Sequence, residues 1–488
     1  MRCKSLQLLS RKSSVNFPAV DHRPWTMVST AIVYGPWLNL MDRTRLEQLL
    51  RSEEELFHQN HPKSFELYQR AKKSLAGGVP MLWMIRWAGS FPVFVKEAKG
   101  AHFTDVDGHD YIDFCLGDTG AMTGHAPEAT LQALAEQAAK GLTLMLPIEE
   151  VIAVGEELQR RFGLPLWQFT LTATDANRHA LRMARMITGR PKVLVFNYCY
   201  HGTVDETFIT LDEEGTPTSR PNNIGPQIDP IYTTKVIEFN DVAALEISLS
   251  AGDVAAVLAE PVMTNIGIIH PEPGFHDYLR KLTRKFGTYL IIDETHTICA
   301  GPGGYTAAHG LEPDFLTIGK PLAGGLPAAV YGFTQQVADE FAARLDVNDS
   351  DVGGIGGTLA GNALSIAAMK ATLENVLTPE FYEKAFALQE KFTAGVEAVI
   401  QEYQLPWIVK RLGNRSEYWF RPKPPKNGGE AAAAIDHELD RYMHLYMLNR
   451  GILMTPFHNM ALISPATTEA DVNYHTQVFR EAVKTLFE

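Results

Sequence analysis

Four short runs are apolar at every position: VLVF at 193–196, VAAVLA at 254–259, YLII at 289–292 and FLTI at 315–318. Longer amphipathic segments stand between several of them, including ANRHALRMARMI at 176–187 and GFHDYLRKLTRKFG at 274–287. Short runs with no polar face predict strands covered on both sides, as in a mostly parallel sheet flanked by helices. The fold class is therefore α/β. Upstream, MDRTRLEQLLRSEEELF from Met41 reads as a helix. In the last hundred or so residues long helical stretches such as PEFYEKAFALQEKFTAGVEAVIQEY and a short strand near SEYWF predict a smaller α+β unit. The expected organisation is a leader at 1–40, an arm with part of the small domain at 41–109, a large domain at 110–375 and a small domain at 376–488. Arg2, Lys4, Arg11 and Lys12, with serines and no acid before Asp21, would suit a transit peptide, but an extended start is the preferred reading of the leader.

Composition narrows the class without naming a reaction. With 488 residues, 45% of them hydrophobic, the chain can bury a large core. A net charge of -13 works against a nucleic-acid surface. No stretch approaches the roughly 20 uninterrupted apolar residues of a membrane span. Cys3, Cys115, Cys199 and Cys299 are scattered, without zinc spacing, which predicts reduced thiols, a cytoplasmic location and no structural metal.

In an open parallel sheet, ligands sit beyond the carboxyl ends of the strands. VLVF is followed by Tyr200, His201 and Gly202, VAAVLA by Glu260, YLII by Asp293, Glu294 and Thr295, and FLTI by Gly319 and Lys320. An aromatic ring, acids and one lysine facing a single crevice suit pyridoxal 5'-phosphate chemistry. The lysine amine condenses with the cofactor aldehyde as a Schiff base and later shuttles a proton. A buried acid, here Asp293, pairs with the pyridine nitrogen, and Tyr200 lies on a ring face. Pro321 is expected to hold Lys320 extended, and Gly319 to leave room for the cofactor. For the phosphate, Thr172, Ala173 and Thr174 precede or open a helix ending at Gly189, with Thr174 the expected cap. His201 and His296 are equally well read as structural histidines.

The ordered set DVDGHDYIDF (105–114), TATDAN (172–177), YHG (200–202), AEPV (259–262), IIDET (291–295), GKPLAGGLPAAVYG (319–332) and GGTLAGNALSIAAMKATLE (356–374) resembles the class III aminotransferases. These are fold type I pyridoxal phosphate enzymes, and the likeness is to the branch with glutamate-1-semialdehyde aminomutase. The resemblance implies Lys320 as the Schiff-base lysine, Asp293 as pyridinium partner, Tyr200 as stacking ring and Glu260 at the polar edge. It also implies that Thr358 reaches the phosphate of a neighbouring subunit, hence a homodimer with shared sites. Two departures touch the cofactor: Ala173 replaces a glycine, and Thr295 replaces a valine.

A third departure concerns substrate. Relatives acting on β-amino acids carry arginines where Trp83 and Phe457 stand, so Trp83, Met84, Trp87 and Phe457 would favour a bulky aryl or ω-amine. Arg415 or Arg86 is the expected clamp for a keto-acid acceptor. The expected function is a ping-pong aminotransferase. The alternatives are an intramolecular aminomutase and a non-catalytic binding protein of this fold.

Overall fold

The computed structural model describes residues 41–226, 228–346, 348, 352–456 and 458–488. The expected leader at 1–40 and Phe457 therefore lie outside the described residues. The chain opens with α1 (Arg43–Asn60), capped by the Asp42 carboxylate, and α2 (Pro62–Ala71). Next come β1 (Val95–Lys99), β2 (His102–Asp105), β3 (Asp110–Asp113), α3 (Glu128–Ala138), α4 (Glu150–Phe162), β4 (Leu166–Thr170), α5 (Ala173–Thr188) and β5 (Lys192–Phe196). The middle continues through β6 (Ile209–Leu211), β7 (Pro217–Ser219), β8 (Thr234–Ile237), α6 (Val242–Ser250), β9 (Val254–Ala259), α7 (Phe275–Phe286), β10 (Tyr289–Asp293) and α8 (Gly304–His309). It ends with β11 (Phe315–Ile318), β12 (Ala329–Phe333), α9 (Gln335–Ala342) and α10 (Ala363–Asn375). The last part holds α11 (Pro379–Glu402), β13 (Ile408–Leu412), β14 (Arg415–Trp419), α12 (Gly428–Ala432), α13 (His437–Leu448), β15 (Ile452–Leu453), β16 (Met460–Leu462) and α14 (Glu469–Phe487).

A seven-stranded sheet in the order β4-β12-β11-β10-β9-β5-β8 is the framework. β11, β10, β9, β5 and β8 pair in parallel, and β12 runs antiparallel between β11 and β4. Every residue of β9 and β11 is buried, as expected for strands covered on both faces. The helices do that covering: α5 and α7 contribute Ala176, Leu181, Met183, Leu279 and Leu282 to one core, while α10 and α11 contribute Ile366, Met369, Phe392 and Val396 to the other. Three smaller sheets lie outside this framework among the described residues, β1-β2-β3-β15, β13-β14-β16 and the pair β6-β7. β15 pairs with β3 through Ile452 and Ile112, joining segments far apart in the chain. Among the described residues no helix is long and apolar enough to cross a membrane.

Candidate active site

The order β11-β10-β9-β5 sets the ends of four adjacent parallel strands side by side. Lys320 follows β11, Asp293 ends β10, Glu260 follows β9, and Tyr200 and His201 follow β5. A cavity of about 760 Å³ opens over these ends. Glu294, the neighbour of Asp293, serves a different purpose: its buried carboxylate accepts from Thr297 Oγ1 (2.5 Å) and from the backbone N–H of Tyr305 (3.1 Å) and Thr306 (2.5 Å). That anchors the start of α8 and leaves Asp293 as the acid of this pair that lines the cavity.

Asp293 is held by a dense set of donors. Its Oδ2 accepts from Asn177 Nδ2 at 2.8 Å and lies 2.9 Å from His201 Nδ1, while Oδ1 accepts from Thr295 N at 3.1 Å. Burial alone would raise its pKa, but hydrogen bonding to His201, with help from Thr295 and Asn177, outweighs burial and lowers it. For His201, burial pulls the pKa down; the Cys199 sulfur and the Asp293 carboxylate pull harder, and the net effect is a rise to about 10. We assign the rise to the Asp293 hydrogen bond. His201 thus lies beneath the cavity as the partner of Asp293 and does not line it.

The helix start beside this pair differs from expectation in one detail. Thr172, not Thr174, caps α5: its Oγ1 accepts from Asp175 N at 3.2 Å, because β4 already ends at Thr170 and the turn comes early. Ala173 and Thr174 are then the first two helical residues, whose N–H groups have no intrahelical acceptor and stand at the cavity wall. Thr174 Oγ1 accepts from Thr203 N at 3.0 Å and ties the Tyr-His-Gly loop to the helix. Gly202 permits this contact: it has φ +74°, and a Cβ there would lie 2.1 Å from Thr174 Oγ1. Gly202→Ala is expected to push the loop off α5 and weaken cofactor binding by about tenfold to a hundredfold, in line with a strained left-handed alanine and one lost hydrogen bond. Equilibrium dialysis against pyridoxal 5'-phosphate would measure it.

Gly319 also serves a purpose other than the expected one. A Cβ there would come within 3.0 Å of Ala173 Cβ and 3.1 Å of Ala173 N, so its space is taken by the start of α5 and not by a ligand. The methyl of Ala173 is accommodated because Gly319 has none. Lys320 is likewise not extended. It has φ +51° and begins a short 3-10 turn, Lys320–Ala323, in which Pro321 is the second residue. This conformation persists because the side chain is tied down at its far end.

Nζ of Lys320 lies 2.8 Å from Asp118 Oδ2 and 2.7 Å from His296 Nε2. His296 Nδ1 in turn meets Thr119 Oγ1 at 2.9 Å and Arg415 Nη1 at 3.1 Å. Burial works toward a neutral Asp118, but Lys320, His296, Arg415 and His458 outweigh it and hold the carboxyl well below the usual range. Burial first, then Lys320, keeps His296 well below its ordinary value, so the ring is neutral. Sequence reasoning missed Asp118 and Thr119. The signal was the tetrapeptide GDTG at 117–120, which holds two non-glycine residues at positive φ, Asp118 at 51° and Thr119 at 80°. For a β-branched residue that is a costly conformation, of the kind that collects at functional sites.

At the mouth, Trp83, Met84 and Trp87 line the cavity, joined by Met81. Trp83 is 40% exposed and its ring centroid lies 5.4 Å from that of Tyr200, so these aromatics form an entrance and not a core. The two expected carboxylate clamps are not in the lining. Arg415 is 0% exposed, with Nη2 donating to Thr264 O at 3.2 Å and Nη1 spent on His296, because β14 carries it inside the protein. Arg86 lies on the exposed side of the entrance turn and outside the lining. Thr358 is exposed and outside the cavity of its own chain.

The residues present fit pyridoxal 5'-phosphate. Glu260 Oε2 is engaged by Thr264, through its backbone N–H at 3.0 Å and through its hydroxyl, but Oε1 is buried without a partner. Thr295 Oγ1 and Asp118 Oδ1 are also buried and unpaired, and all three residues line the cavity. Such atoms are costly unless a polar ligand meets them. With an amine at one end, a held carboxylate at the base and free helix N–H groups at the side, the donor set matches an aldehyde, a ring nitrogen and a phosphate.

Comparison with known proteins agrees. The family model "Aminotransferase class-III" matches residues 83–482. Glutamate-1-semialdehyde 2,1-aminomutase 2 of Halalkalibacterium halodurans is 32% identical over 431 residues, 87% of this chain and 98% of its own. The crystal structure of a glutamate-1-semialdehyde-aminomutase from Pseudomonas aeruginosa PAO1, in complex with PMP, superposes with a TM-score of 0.90 at 49% identity, covering 92% of this chain and 100% of that one. An omega-transaminase from Sphaerobacter thermophilus superposes with a TM-score of 0.80 at 27% identity, over 87% and 98% of the two chains. With its sheet order, its strand-end residues and these matches in hand, the chain belongs to the class III aminotransferase family of fold type I pyridoxal 5'-phosphate enzymes, in the branch of the glutamate-1-semialdehyde aminomutases.

Proposed function

We propose that this protein transfers the amino group of an uncharged-tailed, bulky amine to a keto acid. The observation that carries the reading is the entrance: Trp83, Met84, Trp87 and Met81 line it, and no arginine is among the described lining residues. An apolar tail gains burial there, whereas a carboxylate would enter without a guanidinium partner. Asp118, a lining residue of the same space whose Oδ1 is buried without a partner, suits the ammonium end of the incoming amine. The names of the relatives favour a second reading, intramolecular transfer within one amino aldehyde, over the intermolecular reaction.

Bound pyridoxal 5'-phosphate supplies a ring that takes up the electron pair left when a proton leaves the carbon bearing the substrate nitrogen. Asp293, kept ionised by His201, holds the negative charge that a protonated ring nitrogen requires. The N–H groups at the start of α5 would hold the cofactor's phosphate. Tyr200 offers a flat apolar face, and the tryptophans exclude water from the reacting carbon. Lys320, whose Nζ lies at the cavity, would hold and move the proton that leaves the substrate carbon.

A homodimer completes this reading. Leu142, Leu144, Met145 and Leu146 form an exposed apolar stretch that a second copy would cover, and the exposed Thr358 is free to serve the neighbouring site.

The test follows absorbance of purified holoenzyme with aryl amines, ω-amines, β-amino acids and an amino aldehyde, each with and without pyruvate. Turnover of aryl amines that requires pyruvate supports the proposal, and turnover of the amino aldehyde alone replaces it with the second reading. Trp83→Ala is expected to lower kcat/KM for an aryl amine by about tenfold to a hundredfold through lost apolar burial. A small aliphatic amine should change by less than about threefold, since it leaves that wall unfilled.

A further inference from the structure

His61, Asp105 and His109 converge where the N-terminal arm meets the turn between β2 and β3, and none of them lines the cavity. Among the described residues they are the one group of three histidine, cysteine or acidic side chains whose ligand atoms all lie within 4.8 Å of one another. Asp105 Oδ2 is 3.5 Å from His61 Nε2 and 3.0 Å from His109 Nδ1. Two ligand atoms held about 2.0–2.2 Å from one tetrahedral zinc ion stand about 3.4 Å apart, and the two separations bracket that spacing.

The two buried members are already oriented by contacts on their outer sides. His61 Nδ1 is 2.7 Å from Phe57 O; a carbonyl only accepts, so Nδ1 donates and Nε2 is the nitrogen turned toward Asp105. Asp105 Oδ1 accepts from the backbone N–H of Gly108 at 2.7 Å and of His109 at 2.9 Å, which leaves Oδ2 for the two rings. A ring N–H on a backbone carbonyl and a carboxylate steadied by N–H donors are the outer contacts that metal ligands need. Tyr111 Oη lies 2.7 Å from His61 Nε2 and 3.1 Å from Asp105 Oδ2, with one proton for the two; a cation on Nε2 leaves that proton to Asp105. Asp105 is 0% exposed, and its ion-pair partners among the described residues are the two histidines, with no lysine or arginine. A buried carboxylate without a fixed cation is costly, and a divalent ion supplies one. The His109 side chain is 40% exposed, so an ion enters from that side and water fills its fourth position there.

We propose that His61 Nε2, Asp105 Oδ2 and His109 Nδ1 bind one Zn²⁺ ion, which fastens the N-terminal arm to the β2–β3 turn. His61 stands between α1 and α2, and the same turn already receives the start of α2 through Asp107, whose carboxylate accepts from Lys63 N at 2.7 Å and Ser64 N at 2.9 Å. The segment with Trp83 and Trp87 follows α2, so the ion steadies the base from which the cavity entrance is built. Two imidazoles and one carboxylate suit zinc, whereas Mg²⁺ and Ca²⁺ take oxygen ligands. The scattered cysteines, from which no structural metal was expected, have no part in this site. It stands independently of the reading of the active site.

The test uses purified holoenzyme, treated with EDTA and then dialysed against a small excess of zinc chloride, with bound metal counted by plasma mass spectrometry. The wild type should retain about one zinc ion per chain, and a large excess of Mg²⁺ should not displace it. His109→Ala changes a partly exposed side chain and should weaken zinc binding by about a hundredfold or more, beyond the cost of losing an outer contact. Asp105→Asn keeps the Oδ1 acceptor for Gly108 and His109 and should weaken binding as much. Circular dichroism shows whether that variant folds; if it does not, His109→Ala decides. Zinc should also raise the thermal unfolding midpoint of the wild type and leave that of His109→Ala where it is, because only an ion bound to the folded arm adds stability. A wild type that retains no zinc overturns the proposal. So does equal retention by His109→Ala, which would mean an adventitious ion bound elsewhere.

Discussion

Lys320→Ala is expected to lower amino-group transfer by about 10⁴-fold or more, with the fold intact, because both the nucleophilic amine and the proton carrier are lost together. Lys320 is a cavity-wall residue whose side chain is 26% exposed, so its truncation opens space without emptying the core. The measurement has two parts. Turnover is followed with the best amine from the substrate screen, and borohydride-treated wild type and variant are digested to locate the covalent cofactor label. In the wild type the label should fall on the peptide containing residue 320, and in the variant it should vanish. A variant that keeps more than about a hundredth of the activity would mean that another group carries the proton, and a label elsewhere would remove the chemical assignment altogether.

Asp293→Asn is the second large effect. The amide keeps the shape of the carboxylate and its bond to Thr295 N but removes the charge at the cavity base. Turnover is expected to fall by about 10²- to 10³-fold, the scale seen when one preorganised electrostatic partner is removed. Stability should change as well, with a pH dependence whose sign follows from the two partners. His201 rises from 6.5 to about 10 on folding, so its contribution is fully present below 6.5 and is lost as pH climbs through 10. Asp293 is held below its ordinary 3.8, so its contribution is present above that value and fades as pH drops beneath it. The difference in unfolding free energy between wild type and variant should therefore be greatest between about pH 4 and 7, on the order of 3 kcal/mol, and shrink toward pH 10. Urea unfolding at pH 6 and pH 10 tests this; equal differences at the two values would show that the pair is not ionic.

Much of the framework was legible because its signals are local. The run VAAVLA has no polar face, and the protein buries all of β9. Gly274 and Gly287 bracket an amphipathic run, and α7 occupies the span between them. The strand-end rule then brought Tyr200, Glu260, Asp293 and Lys320 to one cavity. Where the reading went astray, the deciding partner was far away in sequence. Gly319 is small for the sake of Ala173, nearly 150 residues earlier. Lys320 takes a left-handed backbone although a proline follows, because Asp118 and His296 hold its nitrogen. Arg415 looked like a substrate clamp, yet its place in β14, buried against His296 and Thr264, could not be read from LGNRSEYWF.

The chain by itself determined the strands, the helices between them and the cofactor class, and it singled out Lys320 as the expected reacting lysine, since each depends on side-chain chemistry and on spacing within a few dozen residues. Only the tertiary structure decided which donors and acceptors face one another around that lysine. A hydrogen bond is set by distances of about 3 Å and by the direction of each N–H, and those are fixed when four strand ends and a loop from another sheet are packed together. No local pattern carries that information.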